Sequence, residues 1–155
     1  MKKTPAGWPR ISASVYYEDP RAAIDWLCRA FGFEVRLKVE GEGGRIEHSE
    51  LVFGEGLVMV GTAAATNPEK EAWQKFFASP KQIQGKNTSG LAIFVDDVEA
   101  HCARARSAGA EIFREPVTND YGDDYWTDRS YGAKDPEGHI WWFMQRLRDP
   151  KSDAT

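Results

Sequence analysis

Tyr17-Glu18-Asp19-Pro20-Arg21-Ala22-Ala23-Ile24-Asp25-Trp26-Leu27-Cys28-Arg29-Ala30-Phe31-Gly32 decides the fold, because it carries its own start and stop signals and because its pattern returns later in the chain. Asp19 can cap a helix, and Pro20 suits the first helical position, where no backbone N–H is needed. Ile24, Leu27, Cys28 and Phe31 follow at i, i+3, i+4 and i+7, which places them on one apolar face. Gly32 ends the helix in the left-handed conformation that glycine adopts without a Cβ penalty.

Working outward, residues 11–17 alternate and are rich in β-formers, so a strand precedes the helix. Three strands follow, over 33–39, 46–53 and 57–61. The first two are separated by a glycine-rich turn at 41–44, the last two by the hairpin Gly54-Glu55-Gly56. This is a βαβββ module over about residues 10–61. Residues 62–89 break the rhythm and form a connector. It holds Asn67-Pro68, a short helical stretch with Trp73, Phe76 and Phe77, and then Ser79-Pro80. Its aromatics are expected to dock on the domain or on a second subunit.

The pattern then recurs over about residues 90–146. A strand spans 90–95, and Asp96-Asp97 caps a helix with Val98, Cys102 and Ala105 on its apolar face. Gly109 ends that helix, and a strand follows at 111–113. A long loop is expected from Glu115 to about Trp126. Two more strands, 127–133 and 140–145, flank Asp135-Pro136-Glu137-Gly138, and the charged tail from Arg146 is expected to fray. At a shift of 77, Tyr17 matches Phe94, Asp19 Asp96, Ala23 Ala100, Arg29 Arg106, Gly32 Gly109 and Glu34 Glu111; at 82, Glu55-Gly56 matches Glu137-Gly138. A repeated strand, capped helix, glycine stop and three strands makes the chain an internally duplicated α+β protein.

The bulk properties fit this. A chain of 155 residues suits one ordinary domain, large enough to bury roughly 70% of the surface its unfolded form exposes. A net charge of -4 and only short, terminal basic runs, Lys2-Lys3 and Arg146 to Arg148, read as solvated ends and argue against a nucleic-acid partner. Cys28 and Cys102 read as reduced, buried helix thiols rather than a secreted disulfide framework. The first ten residues lack an apolar signal core, and no stretch is apolar for long enough to cross a membrane. A cytoplasmic protein without a membrane partner is expected.

Tyr17-Glu18-Asp19-Pro20 with Phe31-Gly32-Phe33, His48-Ser49-Glu50-Leu51 before a glycine hairpin, Val95-Asp96-Asp97-Val98, Gly109-Ala110 and Asp135-Pro136-Glu137-Gly138-His139 before a Trp-rich strand together resemble the vicinal oxygen chelate (glyoxalase/bleomycin resistance protein/dioxygenase) superfamily over about residues 10–146. The resemblance implies paired βαβββ modules, an open eight-stranded half-barrel around a cleft, and a homodimer whose sheet concavity encloses a ligand. Metal-dependent relatives carry His, Gln or Glu early in the first strand of each module and four residues after the hairpin glycine. Here those positions are Ser12, Val60, Gly90 and Trp142, and the residues on either side offer no better ligands. No metal and no cofactor is therefore expected at the family's usual site. His48 and Glu50 share a strand face and could form a different metal site; His101 and His139 read as surface or hydrogen-bonded residues.

Alternation turns Ser49, Leu51 and Phe53 under a helix and His48, Glu50 and Val52 toward the cleft. Trp142 and Tyr16 face the cleft too, while Trp141 and Phe143 pack inward. Ser130 and Gly132 correspond to His48 and Glu50, and Tyr121, Tyr125 and Trp126 rim the mouth. Trp142 reads equally as core, and Tyr125 and Trp126 equally as loop or dimer packing. The candidate ligand-binding set is Tyr16, His48, Glu50, Tyr125, Trp126, Ser130 and Trp142. A ring-lined cleft suits a flat or cationic small organic ligand, so a metal-free, antibiotic-like binder is the first reading. The alternative is a lyase, isomerase or dioxygenase that uses a relocated metal or His48 and Glu50 as an acid–base pair. No Ser–His–Asp order, phosphate loop or dinucleotide fingerprint is present.

Overall fold

The computed structural model describes residues 1–63 and 72–151; Asn67-Pro68 of the connector lies outside them. The chain divides into two compact units, Met1–Gly85 and Lys86–Thr155. The first holds β1 (Ala13–Tyr17), α1 (Pro20–Phe31), β2 (Glu34–Glu40), β3 (Ile46–Phe53) and β4 (Gly56–Thr62). The second holds β5 (Gly90–Phe94), α2 (Val98–Ser107), β6 (Glu111–Asp120), β7 (Thr127–Lys134) and β8 (Ile140–Arg148). Each unit has one four-stranded sheet, in the orders β1-β4-β3-β2 and β5-β8-β7-β6. In both, the first strand runs parallel to the last and the other pairs are antiparallel. The duplicated βαβββ plan is present, and neither sheet closes into a barrel.

The helix signals act as expected. The Asp19 carboxylate accepts from the Ala22 N–H at 3.0 Å, and Gly32 is left-handed at φ 84°. Ile24, Leu27 and Phe31 are buried, each removal from water being worth about 1.5–3 kcal/mol. In the second unit the cap is Asp97, which accepts from the Ala100 N–H at 3.0 Å. Val98, Cys102 and Ala105 are buried. Neither cysteine is in a disulfide; Cys102 is buried, and Cys28 is only half-buried rather than a core thiol. Burial pushes the Cys102 thiol up. No helix among the described residues is long and apolar enough to cross a membrane.

Several expectations need correction. The loop expected from Glu115 to Trp126 is mostly strand, since β6 continues to Asp120 and pairs along β7. Pro116 masked it. It sits on an edge strand and inside a register shift between Arg114 and Val117, where a missing N–H costs no ladder bond. The tail from Arg146 does not fray: Asp128 pairs with Arg146 and Thr127 with Arg148 across the strands. Arg146 and Arg148 are not solvated ends, because they bind Asp128, Asp149 and Asp120. The repeat is also one residue out over its first strand and cap. The two caps and their Ala22 and Ala100 donors stand 78 apart, so Tyr16, not Tyr17, corresponds to Phe94. Tyr17 is 1% exposed and Phe94 is 54% exposed. The hairpin match fails as well: the left-handed glycines are Gly54 and Gly138, and Gly56 lies in β4.

Candidate functional site

Register fixes which residues share a face. In the second unit Trp141 and Phe143 are fully buried, and His101 of α2 lies against both Tyr131 and Phe143, with its Nδ1 2.7 Å from the Tyr131 hydroxyl. That face is packed by the helix, and burial holds the Tyr131 hydroxyl protonated far above its ordinary range. The opposite, open face carries Ala92, Trp142 and Gly132 in one cross-strand row and Phe94, Met144 and Ser130 in the next. Trp142 therefore belongs to the open face. Phe113 meets its ring edge-on at 5.1 Å, and the Arg114 guanidinium lies 5.7 Å from its centroid.

A bulge puts Phe113 and Arg114 there. Ile112 pairs with Ala133 and Arg114 with Gly132, so one extra residue on β6 turns Arg114 from the helix face to the open face. Gly132 is required beneath it, since a Cβ there would stand 2.4 Å from Phe113 Cζ. Arg114 Nη2 donates to Asn119 Oδ1 at 3.0 Å and Nη1 to Ser130 Oγ at 3.4 Å. At the far end of the sheet Arg146 lies over Trp126 at 5.2 Å and over Phe94 at 5.5 Å. Tyr125 stands edge-on to Trp126 at 6.1 Å and is 57% exposed.

The first unit has the same kind of bulge in its own edge strand, β2. Val35 pairs with Leu51 and Leu37 with Glu50, leaving Arg36 between them. Its Nη1 binds the Glu50 carboxylate, and its guanidinium lies 5.8 Å from the Trp8 ring. His48 Nε2 is 3.0 Å from Glu50 Oε1. The Glu50 side chain is only 5% exposed, yet its carboxyl is held below the usual glutamate value, first by the bond from His48 and then by Arg36, against the opposing effect of burial. Ser49 and Leu51 are buried on the other face, with Ser49 Oγ accepting from Val60 N–H at 3.1 Å and donating to Val60 O at 2.8 Å. Tyr16 shares neither contact. Phe77 of the connector stacks on it at 4.1 Å, and Trp73 stands edge-on to Phe77 at 6.0 Å.

Of the expected site residues, His48 and Glu50 are brought together, and Ser130 and Trp142 meet through Arg114. Trp126 and Tyr125 form a separate cluster with Arg146, and Tyr16 is covered by Phe77. Sequence reading missed Arg36, Phe94, Phe113 and Arg114. The two bulges hid three of them, and the one-residue error in the repeat hid Phe94. The remaining histidine is structural. His139 lies 3.1 Å from buried Asp135, which also accepts from Trp141 Nε1 at 3.0 Å and from the Glu137 and His139 backbone.

A divalent metal at the family's usual positions does not fit these side chains. Val60 is 2% exposed and faces the helix-packed side beside Val15. The open-face positions of those strands are Ser14 with Met59 and Ala92 with Trp142, an insufficient donor set. Among the described residues no cluster of three or more His, Cys, Asp or Glu could hold an ion.

The sequence matches the model of the Glyoxalase/Bleomycin resistance protein/Dioxygenase superfamily over residues 11–143. TioX from Micromonospora sp. ML1 is 31% identical, with a TM-score of 0.65 over 88% of this chain and 98% of its own. The fosfomycin resistance protein FosX from Mesorhizobium loti, at 14% identity and a TM-score of 0.55 over 88% of this chain and 91% of its own, shares the fold. Uncharacterised proteins of Mycobacterium bovis and Mycobacterium tuberculosis are 28% identical over 145 residues, 94% of this chain and 88% and 79% of theirs. With a duplicated βαβββ plan, the matching strand order in both halves and a family match across most of its length, the chain belongs to the Glyoxalase/Bleomycin resistance protein/Dioxygenase superfamily.

Proposed function

We propose that this protein binds a small aromatic molecule without a metal, on the open face of its second sheet. The observation that carries this reading is the ring wall of Trp142 and Phe113, with Phe94 in the next cross-strand row of the same face. It stands on a sheet whose reverse side is sealed by α2, and Phe113 and Phe94 remain 39% and 54% exposed. Aromatic rings left accessible on a rigid sheet offer stacking area at little entropic cost. Sequestration of such a molecule is the biological role this proposal implies, and a homodimer remains the expected assembly. Calorimetric titration with a neutral planar probe, 2-naphthamide, should give saturable binding that Trp142→Ala weakens. Stoichiometric zinc, nickel, manganese or iron in the purified protein would overturn the reading.

A second reading rests on Arg36, Glu50 and His48. A buried carboxylate that holds one ring nitrogen of a half-exposed imidazole fixes its tautomer and leaves the other nitrogen for proton transfer. In a lyase or isomerase built on this pair, His48→Ala would abolish turnover; turnover that survives both His48→Ala and chelation would remove this alternative.

A further inference from the structure

Arg114 differs from the arginines around it. Arg106 faces Glu115, Arg129 faces Glu99, Arg146 faces Asp128 and Asp149, and Arg148 faces Asp120. Arg114 has no carboxylate among the described residues. Its partners are the Asn119 amide oxygen and the Ser130 hydroxyl, both neutral. Asn119 is itself tied back, with Nδ2 donating to Val117 O at 3.4 Å and to Ser130 Oγ at 3.3 Å. The guanidinium is thus held from one side by a neutral network while its charge stays uncompensated. It lies against the Trp142 ring, which has Phe113 at its edge.

A planar fork with spare N–H donors, fixed beside a ring wall, matches an oxyanion attached to a flat ring. An aromatic cation does not match it. It would meet the unpaired charge of Arg114, and Arg146, which lies over Trp126 and Phe94, adds a second positive charge on the same face. We infer that Arg114 is the anion-recognition residue of this face and that the ligand is a planar aromatic carboxylate. The inference rests on the reading that this face binds an aromatic ligand; it keeps the flat ligand expected from the aromatic residues and replaces the cationic one with an anion.

The test compares 2-naphthoate, 2-naphthamide and 2-naphthylmethylammonium by calorimetry against the wild-type chain, Arg114→Gln, Arg114→Lys and Trp142→Ala. The naphthoate should bind at least about tenfold more tightly than the amide, as expected of charge-assisted hydrogen bonds, and its advantage should shrink with added salt. Arg114→Gln should erase that advantage, bringing naphthoate affinity down to that of the amide measured on the same variant. Arg114→Lys keeps the charge but loses the fork, and should lose part of it; this variant carries the test if the glutamine variant does not fold by circular dichroism. Equal binding of acid and amide, tighter binding of the ammonium probe, or indifference of naphthoate to both Arg114 variants would overturn the assignment. If Trp142→Ala still weakens every probe in that case, the aromatic face stands without it. If no probe binds the wild-type chain, both readings fall.

Discussion

Gly132 and Phe113 occupy nearly the same space: a Cβ on the glycine would lie 2.4 Å from one ring carbon of Phe113 and 2.6 Å from another, and 3.0 Å from the Trp142 ring. The ring wall of the second sheet exists because β7 has no side chain there. Gly132→Ala should push both rings off their positions and destabilise the protein by about 1–3 kcal/mol. It should weaken binding of 2-naphthamide in parallel with Trp142→Ala. Unchanged urea midpoint and unchanged affinity would show that the wall tolerates the methyl group.

Asp135 is the hub of the β7–β8 turn. Its buried carboxylate receives the Trp141 indole N–H and two backbone N–H groups. Asp135→Ala leaves these donors buried without an acceptor and should cost about 2–4 kcal/mol in chemical denaturation, since each such group costs about 1–3 kcal/mol. Asp135→Asn, which keeps one acceptor oxygen, should cost less.

Asp96 and Asp97 separate two readings of the repeat. The sequence correspondence favours Asp96 as the equivalent of Asp19, whereas it is the Asp97 carboxylate that accepts from the Ala100 N–H. Asp97→Ala should lower stability by about 1 kcal/mol, and Asp96→Ala by less than about 0.5 kcal/mol. The reverse ranking in thermal melts would place the cap one residue earlier.

Acid stability should depend on two glutamates of the first unit. Arg21 and Lys38 hold the Glu40 carboxyl at about 2, and His48 and Arg36 hold that of Glu50 below its usual value. Both shifts are downward, so the stabilisation is complete above the ordinary glutamate value of 4.5 and is lost as pH falls through the folded value. For Glu40 that window runs from 4.5 to about 2. Glu40→Gln should flatten the fall of the urea midpoint across it, and added salt should shrink the difference, because Glu40 is exposed. A slope identical to wild type would exclude Glu40 as a contributor.

The legible part of the structure was punctuation: Asp19, Pro20 and Gly32 act locally, so their meaning survives without knowledge of the rest of the chain. The illegible part was the bulges. Alternation assigns faces only while the ladder keeps step. The extra residues at Arg36 and Phe113 break step in the strands that carry the charged groups of each open face. Pro116 hid half of β6 for a related reason, since its backbone looks like a loop unless the neighbouring strand is known. Glu50 could be placed with His48 because the ladder stays in step between these two residues of β3. Its third partner, Arg36, lies across the bulge and was lost.

The parallel pairing of β1 with β4, and of β5 with β8, bears on how the chain is made. The three later strands of each half can pair hairpin by hairpin as they emerge from the ribosome, but the opening strand must wait for the last one before it gains a neighbour. Long-range closure of this kind slows folding. A chain ended inside β4 would leave the Ile24, Leu27 and Phe31 face of α1 without its full bed, whereas one ended near Gly85 carries every strand its first sheet needs.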